Sequence, residues 1–163
     1  MTLDGTDCKI QEPRPFERKW FSHKFRGPGV RYEVGVNIQN GWIVWCNGPY
    51  PYGEWSDIKI ARHTIVDLLQ EDEMCVADGG YRDGYEHFET PTGLNNYDQR
   101  MKKLARARHE TVNKRIKQFK VLSEQFRHPL EKHGICFRAC ANLTQLVIKY
   151  EAPLFQVVYY DRV

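Results

Sequence analysis

Four consecutive apolar residues, Met74-Cys75-Val76-Ala77, stand between Glu71-Asp72-Glu73 and Asp78-Gly79-Gly80. The run is too short for a core helix. An unbroken apolar segment of this length is the pattern of a strand covered on both faces, which implies a parallel neighbour and a helical crossover. The crossover lies just upstream. Ser56 is a helix N-cap, and Ile58, Ala61, Ile65, Leu68 and Leu69 recur at helical spacing, so residues 57–70 are predicted as an amphipathic helix. Before it, Tyr32, Val34, Val36 and Ile38 alternate over Arg31–Gln39 as in a half-buried strand. Asn40-Gly41 predicts a two-residue hairpin turn, with Trp42–Cys46 as the antiparallel partner. Residues 2–10 read as a first strand around Leu3 and Ile10, crossed by the turn-like Asp4-Gly5-Thr6-Asp7.

After Asp78 the pattern changes. Residues 81–96 read as loop, with one short strand near His87–Thr90. Residues 97–126 contain no Gly or Pro and are predicted as one long helix with Leu104, Val112, Ile116, Phe119, Leu122 and Phe126 inward. His128-Pro129 ends it. A last helix over 136–150 turns Phe137, Cys140, Leu143 and Val147 inward, and an apolar tail follows over 153–160. An antiparallel three-strand meander, a helical crossover and a buried parallel strand together make an α/β chain with a ribonuclease-H-like mixed sheet. The 163 residues fit one domain, 1–163.

Composition removes other classes. Hydrophobic residues are 41% and charged residues 28%, enough for a core. No apolar run approaches the roughly 18–20 residues that cross a bilayer, and the first residues lack a basic-then-apolar export signal, so no membrane partner is expected. Five cysteines are an odd count, read as reduced and buried thiols. A zinc site from His133, Cys136, Cys140 and His128 is the sharper alternative, but no paired C-x-x-C supports it.

Charge is distributed unevenly. Residues 1–96 carry a balance of −5, residues 97–132 of +7 and residues 133–163 of +1. An acidic body meeting one basic segment suits divalent cations on one side and phosphates on the other, although a solvated helix face is the plainer explanation of a charge run alone. Asp4 lies in the first strand and Asp78 at the carboxyl end of the buried strand, where open α/β sheets bind ligands. If these strands are neighbours, the two carboxylates repel each other unless a cation such as Mg²⁺ lies between them. Asp-Gly turns are the plainer explanation of each alone. Glu110 shares a helix face with Arg106, Asn113, Lys114 and Lys117. An ordinary Arg106–Glu110 helix pair would account for it as well.

The ordered motifs Leu3-Asp4-Gly5-Thr6-Asp7-Cys8, Gly27-Pro28-Gly29 with Tyr32-Glu33, Gly48-Pro49-Tyr50, Ser56-Asp57-Ile58, Asp78-Gly79-Gly80-Tyr81 and His109-Glu110-Thr111-Val112-Asn113 resemble the Harbinger-type DDE transposases. The resemblance spans residues 3–160. It implies a metal-dependent nuclease and strand-transfer domain with Asp4, Asp78 and Glu110 as the catalytic and metal-holding triad. Asp57 is a further metal candidate, less favoured than Asp78 because the helix dipole already accounts for an acid in a first helical turn. The implied cofactors are two Mg²⁺ or Mn²⁺ ions serving attack on a phosphodiester. Arg106, Lys114, Arg115 and Lys117 would hold the DNA backbone. Arg106, Glu110 and Lys117 also match an Arg-Glu-Lys signature of bacterial insertion-sequence transposases, with Lys103 where those carry tyrosine. The implied setting is the nucleus. A separate DNA-binding partner protein, a homo-oligomer and a fragment of a longer transposase are all compatible with it. The competing expectation is a catalytically inactive nucleic-acid-binding module on the same scaffold.

Overall fold

The computed structural model describes residues 1–82, 87–90 and 96–157. Strand β1 (Thr2–Lys9) pairs antiparallel with β3 (Gly27–Val36), and β3 pairs antiparallel with β4 (Ile43–Pro51). A two-residue β2 (Phe21–Ser22) joins the start of β3. Helix α1 (Asp57–His63) then crosses over to β5 (Cys75–Val76), which runs parallel to β1, and β6 (Phe88–Glu89) runs parallel to β5. The α/β plan, an antiparallel meander extended by parallel strands and flanked by helices, is the mixed sheet expected of a ribonuclease-H-like fold. Helices α2 (Asn96–Ile116), α3 (Lys120–Ser123) and α4 (His133–Tyr150) complete the chain. Among the described residues no helix is long and apolar enough to cross a membrane.

The pleat of β1 separates two layers. Cys8 faces the larger core, with Val30, Tyr32, Val34 and Val36 of β3 against Val112, Ile116, Phe137 and Ile148 of α2 and α4. Leu3 faces a smaller core with Ala61, Ile65, Cys75, Tyr81 and Phe88 under α1. In the larger one the Tyr32 and Phe137 rings stack at 3.7 Å, and the Tyr32 hydroxyl meets His133 Nδ1 at 2.6 Å. His133 is thus a core histidine; burial holds it near pKa 4 and neutral. All five cysteines are free thiols.

Several element boundaries depart from the sequence reading. The β3–β4 connection is not a two-residue turn at Asn40-Gly41 but a loop between Val36 and Ile43. Asn37 Oδ1 accepts from the Gln39 and Asn40 amides, and the buried Arg108 guanidinium donates to the Asn37 and Ile38 carbonyls. That distant anchor from α2 is invisible to local turn rules. Helix α1 stops at His63 rather than residue 70: Thr64 leaves helical geometry, its hydroxyl still donating to the Ile60 carbonyl at 2.8 Å, and a 3-10 turn follows over Val66–Leu68. Ile60 consequently becomes a fully buried contact and Leu68 is 66% exposed.

The helix read over 97–126 ends at Ile116. Phe126 must return to the end of β1, where its amide donates to the Lys9 carbonyl and its carbonyl accepts from the Gln11 amide at 2.8 Å. A straight helix would carry it about 15 Å further along the axis. Leu104 is accordingly exposed, while Ala105, Arg108, His109, Val112 and Ile116 make the inward stripe. Helix α4 begins at His133, and its buried face is Phe137, Cys140, Ala141, Thr144 and Ile148; Leu143 and Val147 lie outside it. The strand near His87–Thr90 is β6. Residues 83–86 and 91–95 of the predicted loop, and 158–160 of the apolar tail, lie outside the described residues.

Candidate active site

Thr2 of β1 is the parallel partner of Val76, the last residue of β5, so Asp4 lies two residues further along β1 and Asp78 two residues past the end of β5. The Asp4 side chain is on the face that meets α2, where Asn113 Nδ2 donates to its Oδ2 at 3.2 Å. Burial, followed by the charges of Asp78 and Asp57, pushes the Asp4 carboxyl from its ordinary 3.8 up to about 6. Asp78 leaves β5 and accepts the Gly80 amide at 2.7 Å, capping the 3-10 turn Gly79–Tyr81. Each carboxylate is therefore set by backbone, not by a long flexible stem.

A cavity of about 340 Å³ lies over these strand ends. Asp4 and Asp78 form its floor, and Lys103, Arg106, His109 and Glu110 of α2 form its wall. All three carboxylates singled out from the sequence thus line one cavity. Glu110 stands apart within it: its side chain is 68% exposed and pairs with Lys114 at 3.1 Å. Among the described residues, no three His, Cys, Asp or Glu side chains are drawn together tightly enough to hold a metal ion as placed.

Asp57 lies on the other face of β1. Its carboxylate packs where a Cβ on Gly5 would have to be, and also approaches Gly80. Arg31 holds it with an Nη1–Oδ1 distance of 3.2 Å, while Arg31 Nε donates to Asp7 at 2.8 Å. Asp57 does not line the cavity. Burial is the main cause of its raised pKa, and Arg31 works against that rise.

The basic residues divide as well. Arg106 is exposed on the cavity wall, and Lys114 is exposed beside Glu110. Arg115 is turned away and donates to the Ala152 carbonyl. Lys117 is half-buried past the end of α2, its amide bonded to the Asn113 carbonyl. Two inward residues of α2 were not assigned from sequence. His109 Nδ1 meets Thr2 Oγ1 at 2.8 Å, and Asn113 reaches Asp4; both are buried, and each keeps one polar atom without a partner. Their one signal was position, flanking Glu110 at the spacing of a single helix turn.

The donor set is hard oxygen. Asp4 and Asp78 border the same cavity, and burial first, then the charges of Asp78 and Asp57, keeps the proton on Asp4 to an unusual pH. Such a pair fits a hard divalent cation, with Glu110 within reach of the same cavity through rotation of its exposed side chain.

A pH effect follows. The folded chain keeps the Asp4 proton up to about 6, whereas the unfolded chain releases it near 3.8. The carboxyl therefore subtracts stability as pH rises from about 4 to about 6, and the full penalty persists above that window. Asp4→Asn lacks this titration. In metal-free buffer, its Tm relative to the parent chain should climb across that window and level off above it. A Tm difference independent of pH would contradict this placement of Asp4.

The family model of the DDE superfamily endonuclease matches residues 3–145. Comparison with curated proteins finds no match, and comparison with solved structures finds none either. The match runs from Leu3 of β1 into α4 and takes in Asp4, Asp78, Arg106, His109 and Glu110 of the cavity; by it, this chain belongs to the DDE superfamily endonucleases.

Proposed function

We propose that this chain is the metal-dependent DNA endonuclease and strand-transfer domain of a transposase or transposon-derived protein, of Harbinger type and acting in the nucleus. Asp4 and Asp78 would hold the divalent cations, Mg²⁺ or Mn²⁺, with Glu110 as the third carboxylate. The observation that carries this reading is that Asp4 and Asp78, each two residues beyond the Thr2–Val76 pair, line one cavity, with the Asp4 carboxyl pushed up to about 6. Bound cations would supply Lewis-acid stabilisation at the phosphorus and a deprotonated nucleophile.

The chain's own residues supply the rest. Asn113 orients the Asp4 carboxylate through its amide. Asp78 is held by its bond to the Gly80 amide. Arg106 presents a guanidinium to a phosphate entering the cavity, and Lys114 and Lys117 extend that cationic surface along α2. Asp57, pinned by Arg31, supports the strand end from behind.

A second reading has a specific observation in its favour. Glu110 rests on Lys114, away from the two aspartates, as it would in a non-catalytic nucleic-acid-binding module. Titration with Mg²⁺ and Mn²⁺ separates the two. At a hundredfold excess over Kd, a cation that binds only the folded chain should raise Tm by about 5–10 °C. Asp4→Asn and Asp78→Asn should each lose that shift. Absence of any shift with either ion in the parent chain would leave only the module. Duplex DNA binding, expected on both readings, should weaken steeply between low and moderate salt.

A further inference from the structure

Glu33 is a buried carboxyl outside the cavity. It lies on β3 opposite Gly5, on the α1 face of the sheet, and is 1% exposed. No Lys or Arg among the described residues pairs with it. Its partners are neutral: Trp45 Nε1 donates to Oε2 at 2.9 Å, the Thr64 hydroxyl lies 3.4 Å from Oε2, and the Tyr81 hydroxyl lies 3.5 Å from Oε1. Burial, opposed by these bonds and aided by the nearby Asp57 charge, pushes the carboxyl up to about 7. A well-packed apolar side chain would hold such a layer at least as firmly, so stability alone does not account for an acid here.

The three partners belong to three different segments. Trp45 is on β4. Thr64 ends α1, the helix whose first residue is Asp57. Tyr81 ends the turn that Asp78 caps. That turn is poorly anchored otherwise. β5, which leads into it, has two residues, and the two residues after Asp78 are glycines without side chains. A Cβ on Gly80 would meet Asp78 Oδ1 at 2.9 Å and Asp57 Oδ2 at 3.3 Å, so the two aspartates converge over this one residue. Tyr81, 1% exposed and packed on Phe88, is the side chain that fixes the far end of the turn, and its hydroxyl reaches Glu33.

We propose that Glu33 is a positioning residue for Asp78: through Tyr81 it pins the turn that Asp78 caps. The inference rests on the reading of Asp78 as a metal-holding carboxylate. It extends that site to a residue on a strand and a sheet face that do not border the cavity.

The test measures the amide exchange of Gly80 by NMR in the full, metal-free chain, because that amide donates to Asp78. Tyr81→Phe removes one atom, and Glu33→Met keeps the bulk but not the bonds. Each should speed Gly80 exchange about fivefold, the factor one hydrogen bond carries, while the Val34 and Val36 amides keep their rates. Glu33→Gln, which can still bond Trp45 and Tyr81, should restore the slow exchange. Unchanged exchange at Gly80, or equal acceleration across the whole sheet, would overturn the proposal. Where Glu33→Met does not fold, Tyr81→Phe carries the test alone. Cleavage assays run beside it should show Tyr81→Phe needing several-fold more Mg²⁺ at an unchanged KM for DNA. A parent chain without Mg²⁺-dependent cleavage would sink the nuclease reading, and the exchange rates would still decide the role of Glu33.

Discussion

Asp78→Asn is expected to abolish Mg²⁺-dependent cleavage while leaving the fold nearly as stable as before. A substitution one step removed from a metal typically costs up to about a hundredfold, so loss of a direct ligand should exceed about a hundredfold in kcat/KM. Stability responds differently for two reasons. Asparagine caps a turn about as well as aspartate, so the bond to the Gly80 amide survives. Neutralising Asp78 also removes the second-largest cause of the raised Asp4 pKa. Asp78→Ala makes the contrast: it loses activity equally and also the cap, at about 1 kcal/mol. Cleavage of plasmid DNA and thermal melts of both variants check this together. An Asp78→Asn protein that cuts at the parent rate would remove Asp78 from the site.

Gly5→Ala should be the most damaging small substitution in β1. The new methyl would land on the Asp57 carboxylate, which packs directly against the Gly5 Cα. Overpacking of this kind costs about 1–3 kcal/mol, or about 2–12 °C in Tm for a chain of this size. Asp57 cannot retreat freely, since Arg31 holds it and is itself held by Asp7 and the Trp55 carbonyl. Combining Gly5→Ala with Asp57→Ala should therefore recover part of the lost stability, a non-additivity that marks the two residues as direct neighbours. Strict additivity of the two melting shifts would show that Asp57 does not pack on Gly5.

The sequence alone determined the antiparallel meander, the crossover helix and the short buried strand that follows it; that this strand lies beside the first was a condition of the reading, which the structure supplies. Those elements follow from local properties. An unbroken apolar run, an alternation of period two and an acid at a strand's end each mark a short segment wherever it is placed. Tertiary structure decided what depends on a distant partner. Arg108 of α2 reshaped the loop at Asn40-Gly41. The pairing of Phe126 with β1 cut the long helix at Ile116. Contacts with β4 and α2 chose Ala141, Thr144 and Ile148, not Leu143 and Val147, as the inner face of α4, since two apolar stripes on one helix cannot be ranked by periodicity. Asp57 opens α1, where Arg31 of β3 holds it against Gly5, whereas Asp78 follows β5 and lines the cavity; those partners come from distant segments and are set by the tertiary structure. Glu33 and Asn113 stand inside the motifs, but their bonds to Tyr81 and Asp4 were not legible there: a polar residue's partners, unlike an apolar residue's burial, leave no periodic trace in the sequence.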